Sequence, residues 1–419
     1  MATKRWLGNA NGTYDLWTVA LSGTVISQTY TFTINAKTVT YTASGADTVT
    51  TILAAMATAL AASTVPVEFT ELTAAALPAG GPYTSLTLTG NVRGKPSTIS
   101  VGTSGAATFT ITNTTPATGP NFADAAVNWS GGVAPANSDT LVYDNGSVDC
   151  KYGFSALSAL TGVTISVEPA YSGNIGLPFI NSDNQTTYNE YRTTSLTLAG
   201  GTAIINSAQI QRCNLAFGAN TTTVRVLNTG QRSDQYTPVV LITGGNGSSE
   251  LDVTRGDVGV AFYQGTTATL PNIKTSYVTQ PLSDVTVTIG LGATLTTIVK
   301  NGGKMTSRVG ATTISQDISG GTLTLTDSAA VTTLNVSAGT CNLNNTGTVA
   351  TINIYGQSTL NADGDPRAKT ITNPINVYST MVTVIDNAKT INSGTLSLAP
   401  GGLSSVNVQH GQNTSMVFQ

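Results

Sequence analysis

The C-terminal half of the chain repeats a short pattern of alternating apolar and polar positions. Leu323-Thr-Leu325 is followed, with polar turns between, by Leu334-Asn-Val336, Cys341-Asn-Leu343 and Ile352-Asn-Ile354. Alternation with a period of two is typical of a β-strand that buries only one face. The pattern therefore predicts a series of short strands.

These strands recur at a nearly constant distance along the chain. Leu323 returns as Cys341 and again as Leu360. A second set recurs with almost the same spacing, at Thr333-Leu334, Thr351-Ile352, Thr370-Ile371 and Thr390-Ile391. A period of roughly 18–20 residues predicts the rungs of a β-solenoid, because one rung cannot bury its inner face alone. We expect the four apolar members of the second set to stack in one inward column.

A different pattern occupies the N-terminal part of the chain. Gln28–Ile34 and Lys37–Thr42 alternate strictly around Asn35-Ala36, which predicts a β-hairpin. An amphipathic helix is predicted next, with Asp47 as its N-cap and one apolar face formed by Val49, Ile52, Leu53, Met56 and Leu60. Further strands are predicted at Val67–Thr73, Leu86–Leu88, Thr98–Val101 and Thr108–Ile111. Together they indicate a compact α+β module.

Turn-forming residues cluster between the two patterns, from Pro116 to Asp144. The chain is therefore predicted to be mainly β, with four parts. They are an N-terminal arm (1–23), an α+β anchoring module (24–115), a capping and joining segment (116–194) and a β-solenoid (195–419).

Composition agrees with a stacked architecture and limits the partners. Only 9% of residues are charged, against about 25% in typical globular domains. In a solenoid, equivalent side chains stack about 4.8 Å apart, so like charges would repel, whereas Thr and Asn ladders can share hydrogen bonds. The net charge is -3 and no basic run is present, so nucleic acid is not an expected partner.

Neither a membrane nor a disulfide framework is expected. Residues 1–8 lack the apolar stretch of a secretory signal, and the most apolar window, Ile52–Ala62, is shorter than the roughly 20 residues that span a bilayer. Cys150, Cys213 and Cys341 are far apart and form no CxxC motif. We interpret them as small core residues and predict no metal site or cofactor.

The acidic residues give little support for catalysis. Cleavage of a glycan requires two carboxylates about 5–10 Å apart. Glu250, Asp252 and Asp257, with Arg255 between them in sequence, could line one face of adjoining rungs, but solvated surface charges are the favoured interpretation. No catalytic residue is assigned, and we expect no enzymatic activity.

Two other candidate sites are also given a structural interpretation. Asp363 and Asp365 resemble half of a calcium-binding loop, but the later oxygen ligands are missing, so a turn is favoured. His410 has no nucleophile pattern nearby and is predicted to lie in a surface turn.

The three tryptophans are candidate docking residues. Trp129 lies in the turn-rich join, where it could bind a sugar face, but we favour a cap over the open end of the first rung. Trp6 and Trp17 lie near the N-terminus and are candidate anchoring residues that dock it onto a partner or a core.

Several segments carry a resemblance to known proteins. Asn128 to Asp139 resembles the entry segment of many β-helical surface and passenger proteins. Residues 1–144 as a whole are similar to structural proteins of tailed bacteriophages and their proviruses. The opening Ala2-Thr-Lys-Arg-Trp6, the Phe32-to-Tyr41 hairpin and the Gly119-Pro120-Asn121 join carry this similarity. Gly173–Pro178 and Tyr188–Arg192 also look familial.

The resemblance implies a virion structural protein that is assembled in the host cytoplasm. We expect a capsid decoration or head-spike protein that binds the particle through its N-terminal part and projects a β-helical rod, as a homotrimer. The alternatives are a tailspike or tail fibre that binds or cleaves host surface glycan, and a bacterial surface adhesin.

Overall fold

A computed structural model describes residues 1–23, 25–177, 192, 194–229, 237–275, 285–316, 321–379, 381–388, 390–392, 395–398, 407–410 and 415–418. The chain divides into two compact units. The solenoid unit comprises Met1–Trp6, Pro135–Asn181 and Thr194–Gln419, and the α+β unit comprises Leu7–Ala134 and Ser182–Thr193. The fold is mainly β, as predicted.

The first strand of the chain, β1 (Thr3–Arg5), belongs to the solenoid unit. The elements of the α+β unit follow: β2 (Leu16–Ser22), β3 (Thr29–Ile34), β4 (Lys37–Thr42), α1 (Val49–Leu60), a 3₁₀ helix (Val67–Glu71), β5 (Leu72–Leu77), β6 (Ser85–Gly90), β7 (Ser100–Thr103), β8 (Thr108–Thr115) and a second 3₁₀ helix (Ala126–Asn128). Two antiparallel sheets form, in the orders β5-β6-β2-β8 and β4-β3-β7.

The predicted hairpin and helix are both present in the α+β unit. β3 and β4 pair antiparallel, and Asn35 and Ala36 turn the chain with positive φ. Helix α1 buries the predicted face at Ile52, Leu53, Met56 and Leu60. A core of apolar side chains from both sheets packs around this face.

Three details of the N-terminal prediction are wrong. The N-cap of α1 is Thr48, whose side chain accepts from the Thr51 amide, whereas Asp47 accepts from the Ser44 amide one turn earlier. The segment Val67–Glu71 is a 3₁₀ helix, and the strand begins only at Leu72. The predicted arm 1–23 contains β2, which lies between β6 and β8 because Val19 and Leu21 belong to the core.

In the described residues, the solenoid unit continues from Pro135 with many short strands and a 3₁₀ helix at Phe154–Leu157. The strands are β9 (Thr140–Tyr143), β10 (Val163–Val167), β11 (Leu196–Leu198), β12 (Gly201–Asn206), β13 (Cys213–Phe217), β14 (Thr222–Asn228), β15 (Val240–Gly244), β16 (Glu250–Val253), β17 (Gly256–Val260), β18 (Ala268–Thr269), β19 (Asn272–Thr275), β20 (Val285–Ile289), β21 (Ala293–Thr294), β22 (Thr297–Lys300), β23 (Lys304–Ser307), β24 (Thr313–Gln316), β25 (Thr322–Asp327), β26 (Val331–Asn345), β27 (Val349–Asn361), β28 (Lys369–Thr370), β29 (Ile375–Val377), β30 (Val382–Asp386), β31 (Ile391–Asn392), β32 (Thr395–Leu398), β33 (Asn407–His410) and β34 (Ser415–Phe418).

These strands pair in parallel from rung to rung and form a β-solenoid of about ten turns across residues 140–385. We define sheet 1 as the sheet that runs from β1 and β9 through β10, β12, β14, β16, β19, β22, β24 and the first halves of β26 and β27 to β29. Sheet 2 runs from β13 through β15, β17, β20, β23, β25 and the second halves of β26 and β27 to β30. At about 4.8 Å per turn, ten turns extend about 48 Å along the solenoid axis.

The inward column of sheet 1 confirms part of the predicted register. Leu334 pairs with Ile352, as predicted, but Ile352 pairs next with Ile375. Ile371 instead bridges to Val349, and Ile391 pairs with Lys369. The predicted column is therefore wrong beyond Ile352, because the long connection between β27 and β29 displaces the Thr-Ile dipeptides from sheet 1.

The solenoid begins earlier and is less regular than predicted. Its first strands, β9 and β10, lie inside the segment 116–194 that was predicted to be a join. The predicted spacing holds from Leu323 through Cys341 to Leu360, which pair in succession. Elsewhere the rung from Thr297 to its partner Thr313 is shorter, and the rung from Thr164 to Thr202 is about twice as long. Turns of variable length hide the repeat in the first half of the unit.

Candidate functional site

Trp6 docks the N-terminus onto the first strands of the solenoid unit. Its amide donates to the Val142 carbonyl, which places Trp6 beside Tyr143 in the register of β1 and β9. The two ring centroids are 6.0 Å apart, and Nε1 of Trp6 donates to the Val148 carbonyl at 2.9 Å. Only 6% of Trp6 is exposed. Trp6 is therefore packed onto a core, and its role as an anchor to another protein stays a prediction.

Trp17 contributes to the α+β unit. It is half-buried in β2, packs against the core of that unit, and donates from Nε1 to the Asp15 carboxylate at 2.8 Å. Asp15 is fully buried and also accepts from Asn113 Nδ2 and from the Ser97 and Ala117 amides. Trp17 is thus held by a buried hydrogen-bond network. Its role as an anchor to another protein stays a prediction.

Trp129 and Asn128 organise the join within the α+β unit. Trp129 is fully buried and donates to the Ala123 carbonyl at 2.7 Å, so its ring offers no face to a sugar. Its predicted role as a solenoid cap stays a prediction. Asn128 donates to the Gly119 and Phe122 carbonyls, both at 2.8 Å, and accepts from the Ala10 amide. The side-chain amide of Asn128 is buried and therefore links the Gly119-Pro120-Asn121 segment to the Asn128-Trp129 segment.

The outward positions of the solenoid carry amide and hydroxyl ladders, as the composition predicted. Asn353 donates to Asn335 at 2.9 Å, and Asn376 donates to Asn353 at 3.0 Å. On sheet 2, Asn361 donates to Asn342 at 3.1 Å, and Asn342 donates to Thr324 at 3.2 Å. Each amide links one rung to the next without placing like charges side by side.

The candidate carboxylates of the first solenoid turns do not line one face. Glu250 and Asp252 alternate with buried residues on β16 in sheet 1, whereas Asp257 is on β17 in sheet 2 and is mostly buried. Asp252 lies in register between Arg225 and Lys274 on the neighbouring rungs. This alternation of charge stabilises a stack, and it makes Asp252 part of a structural column.

The Asp363 and Asp365 segment is a turn closed by protein donors. Asp363 accepts from Asn387 Nδ2 at 2.7 Å and from the Ala388 amide, and Asp365 pairs with Arg367. The hydrogen bonds and charge of Arg367 lower the pKa of the Asp365 carboxyl. In the described residues no group of three or more His, Cys, Asp or Glu side chains could hold a metal ion. His410 ends β33 in register with Asp386, so the predicted turn is wrong at this residue.

A buried lysine inside the solenoid was not predicted. Lys300 continues the second inward column of sheet 1, between Thr275 and Gln316 on the adjacent rungs, and all three residues are fully buried. Its Nζ lies 3.0 Å from where a Cβ at Gly321 would be, so Gly321 leaves room for the ammonium group. Burial lowers the pKa of Lys300 to about 8. Alignment of Thr297-Ile-Val-Lys300 with Thr333-Leu-Asn-Val336 could have revealed this inward lysine.

None of the three cysteines forms a disulfide and all are buried, which agrees with their predicted role in the core. Cys150 and Cys213 both bridge to Ile175, on either side of it in one column of the solenoid. Burial raises the pKa of the Cys213 and Cys341 thiols to about 12. Protonated thiols of this kind are poor nucleophiles and act as small apolar side chains.

Comparison with protein-family models, curated proteins and solved structures finds no match to this chain. Among the described residues, no helix is long and apolar enough to cross a membrane. Of the two familial segments, Gly173–Leu177 contributes the Ile175 bridges, whereas Pro178 and residues 188–191 lie outside the described residues.

Proposed function

We propose that this chain is a structural protein of a tailed-phage virion, a capsid decoration or head-spike protein whose α+β unit binds the particle. The observation that carries the proposal is the division of the chain into a solenoid and a separately packed α+β unit. A solenoid of about ten turns suits a projecting element. A second unit with its own core suits attachment.

The proposed role is binding and not turnover. The carboxylates considered for glycan cleavage are divided between two sheets, and Asp252 lies between cations of the adjacent rungs. Retaining and inverting mechanisms both need two carboxyl groups facing one bond. The arrangement of these residues therefore favours a structural role.

Attachment to particles provides the test. Particles that lack this protein would be mixed with the purified full-length chain, and co-sedimentation would be measured. A variant with Val92, Val127 and Val133 changed to Asp alters three side chains of the α+β unit that are each more than half exposed. The matched control is Leu291→Asp, an exposed apolar residue of the solenoid unit.

We expect the wild type and Leu291→Asp to bind particles equally, and the triple variant to bind about tenfold less, which corresponds to about 1.4 kcal/mol. Electron microscopy with gold-labelled protein should locate the chain on the head. Label at the tail tip would instead favour the tailspike alternative. Failure of the wild-type chain to bind any particle would contradict the proposal.

A further inference from the structure

The connection after β17 is longer than the equivalent connection on the next rung. Residues 261–267 join β17 to β18, whereas residues 290–292 join β20 to β21. The register aligns Val260 with Ile289, and Ile289 with Ser307, so the two connections and Arg308 leave sheet 2 at the same corner. A recess lies where the longer and the shorter connection meet.

This recess is a pocket of about 400 Å³ whose lining includes Phe262, Tyr263, Gln264, Leu291, Gly292 and Arg308. We call it the corner pocket. Its volume lies in the range of small-ligand sites, which are about 300–1,000 Å³. All of its lining residues belong to the solenoid unit.

Two adjacent aromatic side chains, Phe262 and Tyr263, form a partly exposed wall of the corner pocket. The rings of Phe262 and Tyr263 meet edge to face, with centroids 5.1 Å apart. The Thr266 hydroxyl donates to the Tyr263 carbonyl at 2.6 Å, and the Thr266 amide donates to the same oxygen at 3.1 Å. These bonds close the turn. A preformed aromatic wall binds a ligand with little loss of side-chain freedom.

A glycine allows the second rung to approach this turn. A Cβ at Gly292 would overlap the Thr266 carbonyl oxygen, so no other residue fits at this position without a shift of the backbone. The preceding residue, Leu291, is 51% exposed at the mouth of the pocket. The second rung therefore supplies a flat backbone surface with one apolar edge.

The charged group of the corner pocket is already neutralised. Arg308 donates from Nε to Asp327 at 2.9 Å and from Nη2 to the second carboxylate oxygen at 3.3 Å. An anionic ligand would have to approach beside the Asp327 carboxylate. Arg308 can still offer Nη1 hydrogens to a hydroxyl oxygen, and the exposed side chain of Gln264 can donate and accept.

We propose that the corner pocket binds a neutral sugar ring of a polysaccharide, with one C–H face on the Tyr263 ring, which meets the Phe262 ring edge to face, and the ring hydroxyls on Arg308 and Gln264. Partly exposed aromatic rings fit the apolar face of a pyranose, and the paired guanidinium supplies a donor without a net charge. The assignment does not depend on a virion role, since a solenoid of any origin with this pocket would bind the same ligand.

Saturation-transfer NMR on the full-length protein tests the proposal, with methyl glycosides of glucose, galactose, mannose, N-acetylglucosamine and glucuronic acid as probes. We expect transfer to at least one neutral glycoside and weaker transfer to the glucuronide. Tyr263→Ala should weaken binding about tenfold. Leu291→Arg should also weaken binding, because it places a long side chain at the mouth of the pocket. Residue 291 is exposed, so this variant provides the test if Tyr263→Ala does not fold.

Tyr14→Ala is the matched control, because Tyr14 is 42% exposed but belongs to the α+β unit. It should bind the same glycoside as strongly as the wild type. Absence of transfer to every neutral glycoside, equal binding by Leu291→Arg, or preferential binding of the glucuronide would each overturn the proposal. None of these results bears on particle attachment, so the two proposals fail separately.

Discussion

Lys300 shows how a single residue can oppose the pattern around it. Two and three rungs farther along the solenoid, Val336 and Ile354 occupy the equivalent inward position of sheet 1. Lys300 is fully buried at this position. Thr275 and Gln316, on either side of Lys300, form a polar section within an otherwise apolar column. A buried ammonium group loses hydration, so its neutral form is favoured and its pKa is lowered to about 8.

Lys300 should make stability increase with pH over a defined window. Below pH 8, both the folded and the unfolded chain carry the proton, and the cost of burial is complete. Between pH 8 and the ordinary value of 10.5, the unfolded chain binds more protons than the folded chain. The free energy of unfolding therefore rises, by on the order of 3 kcal/mol in total. Denaturant unfolding at several pH values should show that Lys300→Met removes this rise.

The comparison with Lys300→Met isolates one group among several that titrate in this range. The thiols of Cys213 and Cys341 have pKa values raised to about 12. Once the pH exceeds the pKa of an ordinary thiol, the folded chain binds more protons than the unfolded chain at these two residues, so they lower the free energy of unfolding. Both proteins carry these thiols, so the difference between the two curves reports Lys300 together with its charge interaction with the Cys341 thiol. Lys304→Met, at an exposed position of β23, is the control and should leave the pH dependence unchanged. Identical curves for wild type and Lys300→Met would contradict the prediction.

At the scale of the strand, the solenoid is held together by inward columns. Leu334, Ile352 and Ile375 follow one another in sheet 1, and each is at most 1% exposed. Each side chain packs between its neighbours on the adjacent rungs. A defect in one rung is therefore transmitted to the rungs on either side.

Ile352→Asp should break this column. The change buries a carboxylate between two apolar side chains, without a partner, which costs several kcal/mol, roughly 3–5. We expect a large loss of thermal stability in calorimetry. The control is Gln357→Asp on the same strand, β27, where the side chain is exposed and the change should be almost neutral. If Ile352→Asp melted like Gln357→Asp, the register of sheet 1 would be wrong.

At the scale of the whole molecule, the solenoid unit presents polar but weakly charged outward faces. Asn and Thr ladders occupy outward positions where many proteins carry Lys and Glu. Tyr355 and Tyr378 stack on adjacent rungs with centroids 4.8 Å apart, and both are exposed. Exposed apolar groups on a face of low charge favour self-association.

We therefore predict a homotrimer. Sedimentation equilibrium over a range of concentrations should show association of the 42.8 kDa chain into threes. Tyr378→Lys, at a position that is 52% exposed, should weaken the association. Tyr14→Lys in the α+β unit is the control and should not. A single species of 42.8 kDa at every concentration would argue against self-association in solution.

The alternation of residues along the chain predicted several of the local elements. A period of 2 predicted the hairpin β3–β4, and a period of 3.6 predicted the apolar face of α1. The repeat of one rung predicted the register of Leu323, Cys341 and Leu360. The buried cysteines and the Asn ladders could also be predicted. In each case, one face of the element is apolar for several residues in succession, and stacking repeats that face.

The tertiary structure alone decided where each rung closes. Rungs as short as Thr297 to Thr313 and as long as Thr164 to Thr202 hide the period. Strand β2 has the alternation of a core strand. Only its position between β6 and β8 shows that residues 1–23 do not form a separate arm. Lys300 is inward because parallel pairing aligns it with Thr275, and the corner pocket exists because connections of unequal length meet at one corner. Composition and spacing specify which residues are buried locally, whereas contacts between distant rungs depend on the length of every connection between them.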